Sequence, residues 1–166
     1  MGQQQLLLVI LVTILVGIAT VVAINVFGTA AEQGNRDAVR QDLLTASAGA
    51  QAIWARPASL AGVGGNFADT QVSNRQFFRL LGIPGSFTVE GETVSENEIG
   101  NENGTYALQR TQTGITITAQ PATYASQIVL RVERAQVVDD EAPDDPWNIW
   151  IVDGDDTTVL SGVAGT

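Results

Sequence analysis

The 166 residues carry 18 acids against 8 bases, every base an arginine, for a net charge of −10, and they include no Lys, His or Cys. That balance argues against an electrostatic grip on DNA or RNA. The missing residue types remove disulfides, Ser–His and Cys–His catalysis, Schiff-base chemistry, His/Cys metal sites and the phosphate-binding lysine of nucleotide loops. Chiefly carboxylate-pair or hard-metal chemistry survives this exclusion, and no enzyme activity is expected.

The first element is apolar. Residues Leu6 to Ile24 hold no charge and are interrupted only by Thr13, Gly17 and Thr20. At a rise of ~1.5 Å per residue this run covers ~28 Å, close to the hydrocarbon core of a bilayer. A secretory signal peptide fits poorly, because its apolar region is shorter and is preceded by a basic residue, whereas this flank reads Met1-Gly2-Gln3-Gln4-Gln5. A plain membrane anchor is the simpler alternative.

Beyond the tract the chain is rich in Ala, Gln, Leu and Arg and reaches no proline before Pro57, which predicts that the helix continues. Val39, Leu43, Ala46, Ala50 and Ile53 recur at helical spacing and form one apolar seam, the stripe of a helix lying along a surface. The two segments together predict one helix over about residues 2–56, with bends allowed at Gly17, Gly28 and Gly34. Its first half wants apolar neighbours on every side, and its second half wants a single docking surface.

Residues 57–166 supply that surface as a globular head. Ala61–Asn66 is a glycine-rich loop without the lysine of a phosphate cradle. A short helix is expected over 74–81, closed by Gly82 and Pro84. β-patterned runs follow at 87–90, 105–110, 115–119, 127–138, 147–152 and 157–160, with Thr111–Gly114 as a hairpin connection. In the fourth run Ile128, Leu130 and Val132 alternate with Val129, Arg131 and Glu133, giving one buried and one mixed face. The fold class is therefore α+β: a long N-terminal helix, apolar then amphipathic, packed on a small antiparallel sheet. The domains divide as 1–56, anchor and stalk, and 57–166, sheet head.

This order of parts resembles type IV pilins and their pseudopilin relatives: an uncharged start, an apolar run of about twenty residues passing directly into an amphipathic helix, then an antiparallel sheet domain. The resemblance implies a structural subunit that leaves the cytoplasmic membrane, with the help of assembly machinery, and polymerises with copies of itself into an extracellular filament. Its helix core would be built from Gln5, Leu6, Leu7, Leu8, Ile10, Leu11, Ile14, Leu15, Gly17, Ile18, Val21, Val22 and Phe27. Counting Met1 as the first residue places Gln5 where the family carries an early glutamate, so that position keeps hydrogen bonding and loses charge. The family's basic leader does not precede Met1, so either Met1 is expected to be the mature start or Gly2–Gln3 an uncleaved or atypical junction, and a Cys-free chain cannot form the family's C-terminal disulfide. Gly17 among β-branched residues is a weak stretch of helix, and partial unwinding near it on assembly is expected. The alternatives are a membrane-anchored monomeric binding or sensor domain, and a pseudopilin of a secretion machine.

Charge divides unevenly along the chain: residues 1–56 are neutral, 57–138 sum to −2, and 139–166 hold eight acids and no base. Asp139, Asp140, Asp153, Asp155 and Asp156 flank the predicted strand over 147–152 and are candidate Ca²⁺ ligands, since calcium takes about six to eight oxygens. No calcium-loop pattern accompanies them, and a solvated acidic face is the competing reading. No other cofactor is expected. Nothing fixes two carboxylates at the separation a glycosidase needs. Asn103-Gly104-Thr105 is a glycosylation sequon, and Trp147 and Trp150 are expected to pack on the sheet.

Overall fold

A computed structural model describes residues 2–90, 93–135 and 146–154. The helix α1 (Gly2–Ala55) is unbroken through Gly17, Gly28 and Gly34 and ends just before Pro57, whose ring removes the backbone donor that a further turn would need. A 3₁₀ turn (Ala58–Leu60) and a loop lead to α2 (Asn74–Leu81). Ser73 caps α2 by accepting from the Gln76 amide at 3.3 Å, and Gly82 ends it in the left-handed conformation (φ 78°) that favours glycine.

Six strands follow: β1 (Ser86–Glu90), β2 (Thr93–Gly100), β3 (Gly104–Arg110), β4 (Gly114–Pro121), β5 (Ile128–Arg134) and β6 (Trp147–Asp153). They form one antiparallel meander in sequence order, so β1 and β6 are its edges. The central ladders are regular. Tyr106 faces Ala119 and Leu108 faces Ile117 across β3 and β4, while Ile117 faces Leu130 across β4 and β5. The hairpin expected at Thr111–Gly114 joins β3 to β4, closed by the Thr111 amide donating to the Gly114 carbonyl at 2.9 Å.

By contact the chain falls into two compact units, Met1–Gly34 and Asn35–Thr166. In the second unit the helical seam is buried as its period predicts: Val39, Leu43, Ala46, Ala50 and Ile53 share a core with Tyr106, Leu108, Ile115, Ile117, Ile128, Leu130 and Val132 from one face of the sheet. Seam and sheet each have one apolar face, and pairing them removes both from water. Phe77, Phe78 and Leu81 of α2 complete this core. The approach of α2 to α1 depends on Gly49, where a Cβ would lie 2.8 Å from the Leu81 carbonyl oxygen and 2.9 Å from Leu81 Cα.

Two details differ from the sequence expectations. β2 has no counterpart among the predicted runs, because Ser95-Glu96-Asn97-Glu98 gives no apolar alternation. β5 ends at Arg134, short of the predicted run over 127–138, whose last residues 136–138, like the run over 157–160, lie outside the described residues.

Candidate functional site

The apolar half of α1 places all the residues that the filament resemblance implicates, Gln5, Leu6, Leu7, Leu8, Ile10, Leu11, Ile14, Leu15, Gly17, Ile18, Val21, Val22 and Phe27, on one continuous helix with solvent-exposed side chains. Its large apolar side chains from Leu6 to Phe27 range from 50% exposed at Val12 to 73% at Phe27. So long an unbroken run of exposed large apolar side chains is more than the scattered surface hydrophobics that a soluble monomer leaves uncovered. The helix is long and apolar enough to cross a membrane, which makes it a candidate membrane-spanning segment.

The few polar side chains of this half are internally satisfied where they matter most. Thr13 donates to the Val9 carbonyl and Thr20 to the Val16 carbonyl, both at 2.8 Å, so each hydroxyl is engaged with its own helix. A hydroxyl paired in this way does not penalise transfer into lipid or into a bundle of apolar helices. Around these threonines, Leu11, Ile14, Leu15, Ile18 and Ala19 line a shallow apolar groove along the helix surface. A Cβ added at Gly17 would find open space, with nothing beyond its own turn of helix within 4 Å.

Within the second unit a polar clasp joins the later half of α1 to the sheet. The half-buried Asp42 offers one oxygen, Oδ2, to three donors: Tyr106 Oη at 2.6 Å, Asn103 Nδ2 at 2.9 Å and Asn101 Nδ2 at 3.1 Å. Asn101 also closes the turn between β2 and β3, its Oδ1 accepting from the amides of Asn103 and Gly104 at 2.9 and 3.1 Å. Asn35 adds a second tie, donating to the Asn103 carbonyl at 2.8 Å and accepting from the Thr123 amide at 3.1 Å. Burial, reinforced by the hydrogen bond to Asp42, pushes the Tyr106 phenol well above its ordinary pKa.

The third tie is ionic. Arg36 and Arg40, one turn apart on α1, both donate to Asp153 Oδ2 at the end of β6, the Arg40 bond measuring 2.6 Å. Arg36 Nε and Asp153 Oδ1 are buried without a hydrogen-bond partner, and they are the atoms that a side-on guanidinium–carboxylate pair would join. The Arg36 guanidinium lies 4.4 Å from the Tyr124 ring centroid, and the hydrogen bond to Asp153 raises its pKa further.

These contacts bear on the other predicted sites. Asp153 is engaged by two guanidinium groups, and a cation at its carboxylate would have to displace them. Asp139, Asp140, Asp155 and Asp156 lie outside the described residues. Among the described residues no three acidic side chains gather closely enough to hold a metal ion. At the sequon, the Asn103 amide nitrogen, the atom a glycan would take, is the one donating to Asp42.

The two tryptophans of β6 separate. Trp147 joins a core-side aromatic cluster, 5.7 Å from Trp54 and 6.2 Å from Phe67 between centroids. Trp150, three residues on and so on the opposite face, meets the Arg131 guanidinium at 5.9 Å. Sequence reasoning missed Asp42 altogether. It lies beside the seam residue Leu43, and the only signal for it was an acid so placed together with an Asn-rich turn later in the chain.

Compared with known proteins, the chain matches no family model, no curated protein and no solved structure.

Proposed function

We propose that this chain is a structural, non-enzymatic subunit that polymerises through its N-terminal apolar helix into an extracellular filament of the type IV pilus kind. The observation that carries the reading is the all-round exposure of the helix from Leu6 to Phe27. A two-fold dimer covers one face of a helix and leaves the opposite face in water. A bilayer covers every face, and so does a bundle in which each helix has several neighbours.

Because lipid chains and apolar side chains are about equally apolar, moving from the first environment to the second costs little, and close packing decides the balance. The same helix therefore serves as membrane address before assembly and as polymerisation surface after it. The buried seam and the polar clasp support the reading from the other side, since they hold the later half of α1 to the sheet without using the apolar tract.

Negative-stain imaging of material sheared from cells expressing the full chain tests this reading. Long filaments composed of the single chain are expected. Recovery of the protein only in membranes would overturn it in favour of an anchored monomeric domain, and short membrane-bound assemblies would favour a secretion-machine component.

A further inference from the structure

Of the eight asparagines only Asn103 precedes a glycine. Asn-Gly is the dipeptide that loses its side-chain amide most readily, because the residue after the asparagine has no Cβ to keep its backbone nitrogen from Cγ. The fold imposes this pairing at both positions. A Cβ at Gly104 would run into the Gln120 carbonyl oxygen and lie 2.9 Å from Pro121 Cα, so no larger residue fits where β3 starts against β4. At Asn103 the side chain has to be a donor, since Nδ2 faces the Asp42 carboxylate at 2.9 Å.

Loss of the amide needs two free groups, and the native head holds both. The nucleophile is the Gly104 amide nitrogen, which donates its proton to Asn101 Oδ1 at 3.1 Å. The leaving group is Asn103 Nδ2, bound to Asp42. The backbone around them is also pinned. The Asn103 amide donates to Asn101 Oδ1 at 2.9 Å, and the Asn103 carbonyl accepts from Asn35 Nδ2 and from the Ala122 amide, both at 2.8 Å. Ring closure would develop an oxyanion on Asn103 Cγ, and the half-buried Asp42 carboxylate beside it opposes that charge. Asp42 and Asn35 both belong to α1, so this restraint on Asn103 lasts only while the helix lies on the sheet.

We infer that Asn103 is a latent deamidation site, held inert by the polar clasp and released when α1 parts from the turn between β2 and β3. On release the Gly104 nitrogen gives its proton to solvent and attacks Cγ. The N–Cγ bond forms, the Cγ–Nδ2 bond breaks, and Nδ2 leaves as ammonia. The resulting succinimide takes up water at either carbonyl and opens to aspartate or isoaspartate, so one water enters, one ammonia leaves and nothing is oxidised or reduced. Both products put a carboxylate where Asp42 requires a donor, and two like charges at that distance cannot be paired. Isoaspartate also lengthens the turn by one backbone carbon and moves the carbonyl that Asn35 and Ala122 share. A brief opening of the head thereby becomes a permanent loss of the clasp.

Peptide-mapping mass spectrometry of the full-length chain, aged in detergent at mildly alkaline pH and read for conversion at Asn103 over time, tests this. Conversion in the native protein is expected to be slower than in the same chain in guanidinium by on the order of tenfold or more, because the reaction waits for local opening. Urea below the unfolding transition is expected to raise the rate at Asn103 before ellipticity changes. Asp42→Ala is expected to speed conversion in a head that circular dichroism shows to be folded. Should that variant fail to fold, Asn35→Ala, which releases the Asn103 carbonyl from α1, is expected to give a smaller increase. Asn103→Asp, which carries the charge of the product, is expected to melt earlier than the wild type. Equal rates in native and denatured wild type, or a rate indifferent to urea, would overturn the inference. So would a folded Asp42→Ala head converting at the wild-type rate, or an Asn103→Asp head melting like the wild type. A glycan mass on Asn103 in protein recovered from cells would overturn it too, because Nδ2 would then be covalently taken and could not leave as ammonia.

Discussion

The Tyr106 hydroxyl, on a side chain fully buried against the sheet, donates to Asp42 of α1 at 2.6 Å. It is the shortest of three hydrogen bonds converging on one carboxylate oxygen, and it links the longest helix to the strand that follows the Asn-rich turn. Removing the acceptor strands three donors, whereas removing the phenolic hydroxyl strands none that Asp42 cannot share with Asn101 and Asn103. Tyr106→Phe is therefore expected to cost about 1–2 kcal/mol, and Asp42→Ala about 2–4 kcal/mol. Denaturant unfolding of the full chain in detergent, followed by circular dichroism, measures both. Equal costs for the two variants would contradict the convergence on Asp42.

The same bond predicts an alkaline limit. Burial first, and the Asp42 hydrogen bond second, raise the Tyr106 pKa above its unfolded value of about 10. Below that unfolded value the phenol is protonated in both states and its contribution to stability is fully present. As pH rises past it the unfolded chain ionises first, so stability falls and is lost as pH climbs toward the raised folded value. In a Tyr124→Phe variant Tyr106 is the remaining tyrosine, and its phenolate absorbance is expected to rise together with the loss of ellipticity. Phenolate formation at pH 10 in a chain that is still folded would refute this.

Where the sequence predicted the fold, one element faced one environment. Val39, Leu43, Ala46, Ala50 and Ile53 keep a single helical period because one side of α1 meets the core. Ile128, Leu130 and Val132 alternate because one face of β5 does. β2 escaped notice because its Ser95-Glu96-Asn97-Glu98 stretch carries no periodic signal and is recruited by its neighbours' hydrogen bonds. Asp42 was illegible for a different reason: its partners lie about sixty residues away, and only the closed fold brings them together. In the sequence Asp153 stands among other acids as a candidate calcium ligand, and its arginine partners, more than a hundred residues earlier, come into view only with the fold.

Glycine provides a paired test of packing. A side chain at Gly49 would meet Leu81 backbone atoms at 2.8–3.1 Å, and backbone of a buried helix cannot yield as a flexible side chain would. Gly49→Ala is expected to destabilise the head by about 1–3 kcal/mol. Gly28→Ala, where nothing lies within 4 Å of the added carbon, is expected to leave the head's melting unchanged and to strengthen the helix by up to ~1 kcal/mol. Thermal melts of the two variants side by side decide the point, and a Gly28→Ala chain that melts as early as Gly49→Ala would count against the packing described.

The ionic tie at Asp153 can be set directly against the calcium reading. With Arg36 and Arg40 on one oxygen of Asp153, millimolar calcium is expected to leave the melting temperature of the wild type unchanged. Asp153→Asn is expected to lower it, because an amide gives the two guanidinium groups a weaker acceptor. A calcium-induced rise in the wild type that vanishes in Asp153→Asn would reverse the assignment and make this carboxylate a metal ligand.

The sharpest separation of head from helix comes from a charge within the tract. Leu15 is 64% exposed and lines the groove with Leu11 and Ile18. An aspartate there costs about 2.5–3.5 kcal/mol for insertion at the centre of a spanning helix, and it meets a similar penalty in any dry bundle of like helices. It touches nothing in the core shared by the later half of α1 and the sheet. Leu15→Asp is therefore expected to weaken membrane recovery and to lower filament yield sharply while leaving the head's denaturation profile unaltered in detergent. Leu43→Asp is expected to do the opposite first, unfolding the head, since Leu43 is fully buried in the seam. Should Leu15→Asp still form filaments at wild-type yield, the apolar tract would not be the polymerisation surface.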